Sequence, residues 1–63
     1  MTAAQYREAI AALSLTQGEA AAFLGVSRRS SAGWAAGEYP VPLVVARLLT
    51  LMLKHGIGPA QAS

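Results

Sequence analysis

Residues 16–37 constrain this chain more than any other stretch, because almost every position in it has a local structural meaning. Thr16 followed three residues later by Glu19 is a capping box, which predicts a helix starting at Gln17. Ala20, Ala21, Phe23 and Leu24 give that helix an apolar side, and the small alanines let a second helix come close. Gly25 accepts positive φ and can reverse the chain, Val26 can plug the corner, and Ser27 is a good N-cap. A second helix is then expected from Arg28 to about Ala36, stopped by Gly37. Two short helices joined by the turn Leu24-Gly25-Val26-Ser27 are the result.

Arg28 and Arg29 fall in the first turn of that second helix, where the helix dipole disfavours positive charge. The placement makes sense if that end meets a polyanion. A groove-binding recognition helix inserts its N-terminal part into duplex DNA, where arginine forks onto guanine.

At these residues the chain resembles a family. Gln17-Gly-Glu-Ala-Ala-Ala-Phe-Leu-Gly-Val-Ser-Arg-Arg, with Trp34 and Gly37 behind it, is similar to the lambda-repressor-like, Xre/Cro-repressor type of phage and bacterial regulator, over about residues 5–53. The resemblance implies an all-α bundle of four to five helices containing a helix-turn-helix. It also implies a DNA-backbone contact at Gln17 and a groove-facing set of Ser27, Arg28, Arg29 and Gly33. Three places depart from the family pattern. Ser31 stands where a branched apolar residue is usual, Gly33 where a long polar side chain is usual, and Ala35 and Ala36 where the family often has Glu and a polar or basic residue. Glycine inside a helix costs about 1 kcal/mol relative to alanine, so the contact set is thin and leans on the two arginines.

The remainder of the chain supports a small helical domain. Thr2 and Gln5 form a second capping box, and Tyr6, Ala9, Ile10 and Leu13 recur at helical spacing, so Met1–Leu13 is expected to be the first helix. Arg7 and Glu8 are expected at its solvent face, Tyr6 at a half-buried core edge, and Leu15 as an anchor for the following loop. Trp34 is expected in the core, compensating for Ser31. Ser30 is a candidate for phosphate or a base edge, while Ser31 can face inward and bond its own backbone. Glu38-Tyr39-Pro40-Val41-Pro42 is a stiff loop, in which the Tyr39 hydroxyl could reach a phosphate or the ring could pack on the prolines.

A last helix is expected from Pro42, as its first residue, to about His55, ended by Gly56. It is nearly all apolar, broken only by Arg47, Thr50 and Lys54. A helix wet along one stripe must be covered on more than one side. Leu48, Leu51, Met52 and Ile57 are therefore the expected homodimer surface. Domain boundaries follow: residues 1–56 as the helical domain and 57–63 as a short, frayed tail.

Composition sets limits. Sixty-three residues make one domain, and with no cysteine and one histidine neither disulfides nor a structural zinc site can supplement its core. Apolar residues are 54% and charged ones 13%, with mean hydropathy +0.40, more apolar material than so small a monomer hides. A net charge of +2 and a pI near 9.7 are compatible with DNA without identifying a DNA binder.

Glu8, Glu19 and Glu38 are the only acids, and no paired carboxylates or glycine-rich phosphate loop appear, so no catalysis, metal or cofactor is expected. No run reaches the roughly 18 apolar residues of a membrane span, and no secretory signal is visible, so a cytoplasmic protein is expected. The expected function is sequence-specific binding of double-stranded DNA as a dimeric repressor that occludes a promoter at an inverted repeat. Two alternatives stay open: a protein-interaction module of the same fold without DNA binding, and the DNA-binding partner of a toxin or anti-defence gene product.

Overall fold

A computed structural model describes residues 1–62, and within them every regular element is helical: α1 (Ala3–Ala12), α2 (Gln17–Leu24), α3 (Arg28–Ala36), α4 (Leu43–Lys54) and a single final turn, α5 (Pro59–Ala62). The all-α expectation therefore holds. α2 and α3 run over the residues predicted for them, with only Gly25–Ser27 between them. No helix among the described residues is long and apolar enough to cross a membrane.

The starts follow the capping residues. In α1 the Gln5 amide donates to Thr2 Oγ1 at 3.1 Å while the Thr2 amide donates to Gln5 Oε1 at 2.8 Å. Thr16 and Glu19 repeat the exchange for α2, at 3.1 and 2.9 Å. The Thr16 backbone N–H and then its hydroxyl hold the Glu19 carboxyl below the usual carboxylate range. α1 is shorter than predicted, because Met1 and Thr2 stay outside it and Leu13 is its cap. Pro42 likewise caps α4 instead of beginning it: its ψ of 143° is extended, and the helix begins at Leu43.

The ends share one device. At each of the four helices, two amides beyond the helix reach back to carbonyls five and three residues earlier. Examples are Val26 N–H to the Ala21 carbonyl at 3.0 Å, and Ile57 N–H to the Met52 carbonyl at 2.8 Å. The device needs one residue in the left-handed region. Gly25, Gly37 and Gly56 supply it at three helices, while Ser14, with φ 60°, supplies it at α1. After α4 the chain continues from the Ile57 bond into α5, and Ser63 lies outside the described residues.

Tyr6, Ala9 and Ile10 from α1, Ala20 from α2, Trp34 and Ala35 from α3 and Leu49 from α4 form the core. Leu15 and Val26 pack against it, as expected of a loop anchor and a corner plug. Tyr6 is fully buried, deeper than the core edge predicted for it, and its ring meets Trp34 edge-to-face at 5.6 Å. Trp34 thus lies in the core, as expected.

Ser31 corrects a second expectation. It is fully buried, and its hydroxyl bonds other helices, not its own backbone. Ser31 Oγ donates to the Gln17 carbonyl at 2.9 Å and lies 2.7 Å from the Tyr6 hydroxyl. The single Ser31 proton goes to a carbonyl, which can only accept, so Tyr6 must be the donor to Ser31. α1, α3 and α2 are thus joined in one directed chain. Ser31→Ala leaves a buried phenol with no acceptor, whereas Tyr6→Phe leaves the Ser31–Gln17 bond intact. Chemical denaturation should show Ser31→Ala costing about 1–3 kcal/mol and Tyr6→Phe less, about 0.5–1.5 kcal/mol. The reverse order would contradict the donor directions.

Arg7 is also tied down more than expected of a solvated charge. Its Nη1 donates to the Ala35 carbonyl in the last turn of α3, where the helix dipole favours a cation.

Candidate functional site

The N-terminal ends of α2 and α3 sit together, because the Gly25–Ser27 turn is short and Ser31 fastens α3 to the first residue of α2. Backbone amides not satisfied within their helices collect at both ends, so the region is electropositive before any side chain is counted. Arg28 and Arg29 add two cations to it, and both are exposed. Among the described residues neither guanidinium has an ion-pair or hydrogen-bond partner. The nearby acid, Glu19, is occupied with the Thr16 amide.

The two arginines point differently. Arg28 leans back over α2, close enough that a Cβ placed on Gly18 would stand 3.1 Å from its Nε and Nη2. Arg29 lies opposite the face that carries Ser31, Trp34 and Ala35 into the core, so it projects outward. Gln17 is exposed at the start of α2, beside Gly18, and its carbonyl is already used by Ser31.

Ser27 and Ser30 are bound to each other. The Ser30 amide donates to Ser27 Oγ at 3.1 Å, and the two hydroxyl oxygens are 2.9 Å apart. Ser27 caps α3 as predicted. Gln17, Ser27, Arg28, Arg29 and Ser30 are therefore brought to one end of the α2–α3 pair.

Gly33 is not part of an open surface. It was expected to face a groove, but it is buried under the ring of Tyr39, which a Cβ at Gly33 would meet 2.5 Å from Cε2. Tyr39 itself is 41% exposed, and its ring packs on Gly33 of α3. The missed signal was the combination of a mid-helix glycine, a terminating Gly37 and an aromatic two residues beyond it.

The second surface is on α4. Its buried residues are Leu49 and Met52, with Val45 packed beside the core. Met52, at 3% exposure, is removed from the predicted dimer surface: helical spacing from Leu49 turns it inward. Leu48, Leu51 and Ile57 are exposed as expected, but the most open positions are Val44 at 79% and Leu43 at 65%. The apolar patch is thus centred nearer the start of α4 than the sequence suggested.

No family profile, curated protein or solved structure matches this chain.

Proposed function

We propose that residues 17–36 are a DNA-binding helix-turn-helix and that the chain is a small regulator of the duplex-reading kind its sequence resembles. The observation that carries this reading is the pair of exposed guanidinium groups at the positive end of α3, with no carboxylate among the described residues paired to them. A folded domain has no internal reason to place two cations there, and the major groove supplies both compensating phosphates and guanine acceptors. Gln17 and the Ser27–Ser30 pair flank them as backbone contacts, while Arg28 and Arg29 reach base edges.

The exposed α4 face supports a second copy. Leu43, Val44, Leu48 and Leu51 form a patch a lone domain would leave wet, and a symmetric pair would set two α3 helices about one DNA turn, roughly 34 Å, apart. Occupying an inverted repeat in this way blocks a promoter without any further domain. Leu51→Glu should convert dimers to monomers in size-exclusion chromatography with light scattering and lower operator affinity in parallel. An unchanged mass would place the dimer surface elsewhere.

The reading is tested by selecting bound sequences from random duplex DNA and titrating the winners between about 50 and 200 mM salt. A partly palindromic consensus whose affinity falls steeply with salt is the expected result. Failure to select any sequence would leave the protein-interaction alternative, for which the α4 face is the available surface.

A further inference from the structure

Gly33 is buried, yet the core does not bury it. Ser31, Trp34 and Ala35 define the inner side of α3. At about 100° per residue Gly33 falls on the opposite side, one turn beyond Arg29. What covers it is Tyr39, held there by its own backbone: the Glu38 and Tyr39 amides both donate to the Gly33 carbonyl, at 2.9 and 3.4 Å. The ring lies across the glycine, and a side chain of any size at that position would occupy the same space. The Tyr39 hydroxyl has no partner among the described residues, and the side chain remains accessible.

We propose that Tyr39 is a specificity-determining residue, a phenol lent to the outward stripe of α3 by the loop that follows it. The proposal rests on the reading of α3 as the helix that enters the groove. Phosphates line the edges of the groove, whereas the outward stripe of an inserted helix faces the base edges. A residue seated on that stripe one turn past Arg29 meets the base pair next to the one Arg29 reads. The phenol offers a hydroxyl to a base acceptor and a ring edge to a thymine methyl. Gly33 is then the residue that admits the ring, not a gap in the contact set.

The test repeats the random-duplex selection with Y39A, Y39F and G33A beside the parent and Arg29→Ala, with circular dichroism confirming that each variant is helical. Y39A and G33A should both lose preference at one and the same base pair, by about tenfold, while keeping the position lost by Arg29→Ala. Y39F should retain whatever part of that preference comes from the ring. If G33A does not fold, Y39A decides alone. Weakening spread evenly over all sequences with a shallower salt dependence would make Tyr39 a phosphate contact and overturn the proposal, as would an unchanged consensus. A parent that selects no sequence would refute the duplex reading itself, and this proposal with it.

Discussion

The double variant Arg28→Ala/Arg29→Ala should bind its operator at least about thirtyfold more weakly than the parent while becoming slightly more stable. Each arginine that forks onto a base contributes on the order of 1–3 kcal/mol of discrimination, so losing both removes roughly 2–6 kcal/mol if the two act independently. In the unbound protein the same two charges sit at the wrong end of α3 with no ion-pair partner among the described residues. Removing them should return about 0.3–1 kcal/mol each at low salt. Opposite signs for binding and folding are the signature of charges kept for a partner. Mobility-shift titration and urea denaturation of one preparation measure both. Operator binding like the parent's would show that α3 is not the contact, and lower stability would show that the arginines serve the fold.

Leu49→Ala should leave the chain mostly unfolded at physiological temperature. Leu49 is fully buried, and with Met52 it is what α4 sinks into the core. Truncating a leucine at such a site costs about 2–5 kcal/mol, and a domain this small rarely holds more than about 3–5 kcal/mol in total. Two residues along, Leu51 is 53% exposed, and Leu51→Ala should change the stability of the separated monomer by no more than about 0.5 kcal/mol. Far-UV circular dichroism with urea, run at several protein concentrations to separate folding from association, distinguishes the two. Equal losses for both variants would mean that α4 is docked on a different face.

Local chemistry was legible in the sequence and distant packing was not. Thr2, Thr16 and Ser27 begin their helices, and Gly25, Gly37 and Gly56 end theirs, because a cap or a left-handed turn depends on residues within one helical turn. Ser14 does a glycine's task at the end of α1 and carried no such signal. Met52 was misplaced because α4 is apolar nearly all round, so its periodicity could not say which stripe meets α1. The bonds from Ser31 to Gln17 and Tyr6 span 14 and 25 residues of sequence, and the contact of Tyr39 with Gly33 crosses a reversal of the chain. Such pairings depend on how the helices are set against one another, which composition and spacing do not encode. Exposure of Gln17, Arg28 and Arg29 at one end of the helix pair followed from the short turn and was readable.

The buried phenol–hydroxyl–carbonyl chain has a consequence for how the surface meets its target. It threads from α1 through the middle of α3 to the first residue of α2, so the pitch of the arginine-bearing end is gauged from α1 as well as from α2. A probe that docks with its angle already fixed gives up little conformational freedom on arrival, and loosening the gauge would show first as a larger entropic penalty in calorimetry, before any contact was lost.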